Sequence, residues 1–119
     1  VRDKVNLAAK LSLLEEAYSP GIVGYMNDCK LAVVKASGEF VWHSHQDTDE
    51  LFLVLRGRLR ISLRDREVVL EEGELFVVPR GSEHCPSAEE ETHVLLIEPR
   101  GTLNTGDAGG SRTVAEREI

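Results

Sequence analysis

The chain has 119 residues, 41% of them hydrophobic, and 14 Lys and Arg against 21 Asp and Glu give it a formal charge of −7. Independent domains run to roughly 100–150 residues, so residues 1–119 fit one domain, and the acidic balance excludes a surface built to hold nucleic acid or anionic lipid. The longest uncharged stretch, Ala17 to Asn27, is eleven residues broken by Pro20, Gly21 and Gly24, well short of the ~20 apolar residues of a membrane helix.

Val1-Arg2-Asp3-Lys4 carries neither the apolar run nor the cleavage site of a signal peptide, so a cytoplasmic chain is expected, with Cys29 and Cys85 as free thiols. Leu7, Ala8, Leu11 and Leu14 then recur at helical spacing behind Asn6, a good cap, and predict a leading helix over 5–17. Ser19-Pro20-Gly21 ends it. Short runs rich in Val, Leu, Ile and Phe follow as strands: Lys30–Ala36, Glu39–His43, Glu50–Leu55, Leu59–Leu63, Glu67–Leu70, Leu75–Val78 and His93–Glu98. Hairpin-length connections such as Arg56-Gly57-Arg58 and Asp65-Arg66 make the pairing mostly antiparallel. An all-β sandwich or barrel over 30–98 is therefore expected, followed by an extended, glycine-rich tail over 101–119 that adds little core. Glu50–Leu55, Leu75–Val78 and Val94–Ile97 are apolar on both faces, so the outer face requires cover from the helix, a second sheet, the tail or another subunit, and a homodimer is expected.

The residues that carry chemistry are few. His43 and His45 stand at i and i+2, which in a strand places both imidazoles on one face. Glu50 opens an apolar strand after a polar turn, and His84 follows the turn Pro79-Arg80-Gly81. Three imidazoles and a carboxylate suit a divalent first-row metal: Mn, Fe, Ni, Co or Zn. Other candidates are weaker. His93 sits beside Glu89-Glu90-Glu91 with no such company, Cys85 reads as a small buried residue whose thiol points away from the metal, and Arg56, Arg58, Arg60 and Arg64 alternate with apolar residues as a solvated charged face.

These residues fall in a pattern that resembles the two motifs of the cupin superfamily. The first reads Gly38-Glu39-Phe40-Val41-Trp42-His43-Ser44-His45, then Glu50 and Gly57; the second reads Gly73, then Pro79-Arg80-Gly81, then His84. One residue fewer than usual separates Gly38 from His43, and Ala88 stands where asparagine is common, but neither departure touches a ligand position. The resemblance implies an antiparallel double-stranded β-helix, or jelly-roll barrel, with His43, His45, Glu50 and His84 holding one metal. It extends, through the leading helix and the closing stretch Glu98-Pro99-Arg100-Gly101-Thr102-Leu103-Asn104-Thr105-Gly106-Asp107, to small single-domain cupins of the mannose-6-phosphate-isomerase-like group.

Four protein ligands on an octahedral ion leave two positions for a small-molecule ligand. By strand parity Val41, Phe52 and Val54 share the metal's face and are the expected pocket residues. No dedicated acid–base pair is visible. The resemblance implies a metal-dependent enzyme acting on a small oxygenated molecule by isomerase-, dioxygenase- or lyase-type chemistry, with a non-catalytic binding or sensing module as the alternative.

Overall fold

The computed structural model describes residues 3–119; the opening pair Val1-Arg2, part of the stretch read for a signal peptide, lies outside the described residues. One helix, α1 (Leu7–Leu11), precedes seven strands: β1 (Gly21–Met26), β2 (Cys29–Glu39), β3 (Glu50–Arg56), β4 (Arg58–Leu63), β5 (Glu67–Glu71), β6 (Leu75–Val78) and β7 (His84–Pro99). Every strand pairing is antiparallel, in the order β1-β2-β7-β3-β6, with β4 joining β7 to β5. The architecture is the jelly roll expected of an all-β cupin fold.

The long strands β2 and β7 organise it. The C-terminal part of β7 lies between β2 and β3, with Val94 opposite both Val34 and Val54, whereas its first residues, His84–Ser87, pair with β4. One strand therefore runs through both halves of the roll, and the register shift between Ala36 and Gly38, where Gly38 takes φ 73°, accommodates the change of direction. Alternation along the strands sends Ala32, Val34, Phe52, Val54, Leu59, Ile61, Leu70, Val94 and Leu96 into one interior core. Glu50, Lys30 and Glu98 follow the same parity and are buried with it.

Several elements differ from their sequence expectations. The helix ends at Leu11, because the Ser12 hydroxyl turns back onto Ala9 O (2.6 Å) and tighter three-residue bonds carry the chain through Leu13 and Leu14. Asn6 does cap it, accepting from Ala9 N at 2.9 Å. Tyr18, at φ 58°, then turns the chain into β1, a strand hidden in the sequence by Pro20, Gly21 and Gly24. The run Glu39–His43 is not a separate strand: β2 extends to Glu39, and His43 makes only an isolated bridge with His84. β7 begins nine residues before the predicted His93.

The tail from Gly101 folds back on the roll. Glu118 bridges to Ile22, Ile119 packs over Gly21 where a Cβ would collide with it, and Thr105 is fully buried. Together with Leu11 and Leu14 of the leading segment, Ile119 covers Val23, Val33, Leu55 and Leu95 in a second apolar cluster on the outer sheet face. That cover stops short of the far strands. Two rows cross the sheet, Leu31-Ile97-Leu51-Val77 and Val33-Leu95-Leu53-Leu75, and their β6 ends, Val77 and Leu75, are exposed.

Candidate metal centre

His43, His45, Glu50 and His84 are all buried, and one ligand atom from each lies within 4.8 Å of the others. Three places in the chain supply them: the segment after β2, the first residue of β3 and the first residue of β7. Mutual backbone bonds between His43 and His84 (3.0 and 2.9 Å) bring the two histidine segments side by side, and Gly81 N donates to His45 O at 2.8 Å. The four residues singled out from the sequence thus form one cluster.

The imidazoles are oriented by their outer nitrogens. His43 Nδ1 lies 2.8 Å from Val41 O, and His84 Nδ1 lies 2.9 Å from Ser82 O. A carbonyl can only accept, so each Nδ1 carries a proton, and in the neutral ring each Nε2 presents its lone pair to the cluster. Glu50 Oε1 stands 3.2 Å from His45 Nε2 and 3.3 Å from His84 Nε2, while His45 Nε2 makes no hydrogen bond of acceptable geometry. Lone pairs of a carboxylate and neutral imidazoles facing one another in a buried space repel unless a cation stands between them, so the donor set fits a divalent metal.

The electrostatics suit the same role. Burial, assisted by the neighbouring His84, lowers the His43 pKa to about 4, keeping the ring neutral near pH 7. Burial would raise the carboxyl of Glu50, but the close approach of the His45 and His84 rings outweighs it and holds the group below the ordinary carboxylate range. Ligands must be deprotonated to bind a metal, and these two are.

A narrow cavity of about 40 Å³ adjoins His43 and Glu50, lined also by Tyr18, Phe52, Glu98 and Asn104. A water needs about 10–15 Å³ of such space, so about three or four water-sized groups fit. Of the three residues expected to form the pocket, Phe52 lines this cavity. Val54 is sealed in the core beside it, and Val41 is half-buried at the core's edge. Tyr18, Glu98 and Asn104 join it without any ligand-like spacing in the sequence to mark them. Glu98 could have been found by parity, two residues beyond Leu96 on an inward face, whereas Asn104 arrives from an irregular tail with no periodicity to reveal it. Glu98 Oε1 lies 3.6 Å from Lys30 Nζ, and Oε2 is buried without a hydrogen-bond partner. Burial and the adjacent Glu50 push the Glu98 carboxyl well above its usual range.

The remaining candidates lie elsewhere. His93 pairs with Glu91 at 3.0 Å on the surface. Cys85 is buried, its thiol raised chiefly by that burial, and both cysteines are free. Arg58, Arg60 and Arg64 form exposed ion pairs with Glu71, Glu67 and Glu83, as a solvated face would. No described helix is long and apolar enough to cross a membrane.

The family model for the Cupin domain matches residues 30–98. The uncharacterized protein YdbB of Bacillus subtilis is 33% identical over 94 residues, 78% of this chain and 83% of that protein. Among solved structures, a cupin-2 domain containing protein from Shewanella frigidimarina is 47% identical with a TM-score of 0.79, covering 81% of this chain and 94% of the other. Protein NMB1881 from Neisseria meningitidis is 28% identical with a TM-score of 0.75, covering 82% and 99% respectively.

Proposed function

The chain belongs to the cupin family, and on that footing we propose that it holds one divalent first-row metal through His43, His45, Glu50 and His84 and uses it to act on a small oxygenated molecule. The observation that carries this is the convergence of four buried ligand atoms within 4.8 Å. When bound, such a metal would supply a Lewis acid for the oxygens of the ligand. The protein's own part is positional. Val41 O and Ser82 O hold two imidazoles in the ligating tautomer, and Phe52 limits the apolar remainder of the ligand. A cavity of about 40 Å³ favours a hydroxy-carbonyl compound or a short carboxylate. The Oε2 atom of Glu98, buried and unpartnered at the cavity wall, offers such a ligand a hydrogen bond; this supports a small-molecule ligand, handled by isomerase-, dioxygenase- or lyase-type chemistry in this proposal, over simple metal storage.

The functional unit in this proposal is a homodimer, in which a second copy covers the outer rows through Leu51, Leu53, Leu75 and Val77. The decisive experiment is elemental analysis and calorimetry with Mn, Fe, Co, Ni and Zn. About one metal per chain is expected, with His84→Ala binding far more weakly; retention of no metal by the wild type, or equal affinity in His84→Ala, overturns the proposal.

A further inference from the structure

The two histidines of the first motif are not held by a strand. His43, Ser44 and His45 lie between β2 and β3, tied to the strand side by the His43–His84 bridge and the bond from Gly81 N to His45 O, so the angle between their side chains also depends on what fixes Ser44 between them. That role falls to the tail. Asp107 Oδ1 accepts from Ser44 N at 2.7 Å, its Oδ2 accepts from the Ser44 hydroxyl at 3.1 Å, and Asp107 N donates back to Ser44 O at 3.1 Å. Ser44 itself is 2% exposed, which makes an unpaired amide there costly. Gln46 Nε2 completes the arrangement by donating to the Ser44 hydroxyl at 2.7 Å.

Gly106 brings this carboxylate within reach. It adopts φ +53°, and a Cβ on it would collide with Ser44 O and stand 3.1 Å from His43 Cδ2. A side chain at position 106 would therefore crowd both Ser44 and the edge of the His43 ring next to Nε2. Buried Thr105 bonds to Thr113, and the Asn104 side chain accepts from Val114 N at 3.0 Å and donates to Arg112 O at 2.9 Å. The segment thus forms a closed loop that holds Asp107 in place.

We propose that Asp107 is a positioning residue of the metal centre: by gripping Ser44 it sets the relative orientation of His43 and His45, and hence metal affinity and coordination geometry. This rests on the metal-binding reading above, and the test separates the two. Full-length wild type, Asp107→Ala, Asp107→Asn and Gly106→Ala are titrated with Co²⁺ by calorimetry, the visible spectrum of each loaded protein is recorded, and the Tm of each metal-free protein is measured. Loss of an outer hydrogen-bonding partner typically weakens metal binding by roughly 10–100-fold, and that loss, with a changed Co²⁺ spectrum, is expected for Asp107→Ala. Gly106→Ala acts on the same contact from the other side and should shift the spectrum in the same way. Asp107→Asn keeps an acceptor for Ser44 N and a group for the hydroxyl, so it should restore affinity to within a factor of about three. Wild-type affinity and spectrum in Asp107→Ala, with only its metal-free Tm lowered, overturns the proposal and leaves the tail as a brace of the fold. If Asp107→Ala does not fold, Ser44→Ala decides, because it removes one of the three bonds; unchanged affinity and spectrum there also overturn it. A wild type that takes up no Co²⁺ or any other metal overturns the metal-binding reading and this one with it.

Discussion

His43 makes the metal-free protein sensitive to mild acid in a way that can be isolated. Its imidazole titrates at 6.5 when unperturbed and at about 4 in the fold, because burial disfavours the cation. Between those values the unfolded chain holds a proton that the folded chain does not, so stability rises with pH through this window. The contribution is fully present above pH 6.5 and is lost as pH falls toward 4. At ~1.4 kcal/mol per tenfold change in proton affinity, the whole effect is about 3 kcal/mol, of which about 2 kcal/mol is lost between pH 7 and pH 5. Glu98 acts in the opposite sense, since its raised carboxyl keeps a proton that the unfolded chain sheds above about 4.5, and Glu50, being lowered, acts only below about 4.5. Both are common to wild type and His43→Gln, so the difference between the two proteins reports His43. Urea denaturation of chelator-treated protein at pH 7 and pH 5 should show wild type losing about 2 kcal/mol more than His43→Gln over that interval. An equal loss in both proteins would refute burial of a neutral His43.

Ile61 on β4 is completely buried in the interior core, and Ile61→Ala should cost about 3 kcal/mol through lost transfer energy and the cavity left behind, read as a lower urea midpoint with an unchanged slope. On the outer face, Leu53 lies between Leu95 and exposed Leu75. Leu53→Glu should convert a dimer to a monomer in light scattering while the metal content stays at wild-type level, and a wild type that is already monomeric at micromolar concentration contradicts the dimer.

Much of this protein was legible in one dimension because the signals are local. Period-two alternation in Phe52-Leu53-Val54 and Val94-Leu95-Leu96 specifies strands and their inward faces, since successive Cβ atoms must point to opposite sides of a sheet. The spacing of His43, His45, Glu50 and His84 matched a known motif, and the fold brings the four together. Sequence also overstated some elements. Leu11 and Leu14 have helical spacing, yet both reach the second cluster with the helix already ended at Leu11, because apolar spacing reports which residues are buried and not which backbone bonds carry them there.

What tertiary structure alone decided are the contacts between segments far apart in the chain. Asp107 reaches Ser44 across 63 positions, and Lys30 Nζ meets Glu116 at 2.9 Å across 86. A glycine-rich tail has no periodicity and little apolar content, so nothing in its own residues predicts that it will be ordered. It is ordered because the roll offers unsatisfied groups, the amides of Ser44 and Ile22 and the buried ammonium of Lys30, which the tail's carboxylates and carbonyls satisfy. Composition and spacing thus determined the all-β class and the identity of the metal-ligand candidates. The angle at which two of those ligands face each other was left to a hydrogen-bonding demand that exists only once the strands have folded and buried the Ser44 amide.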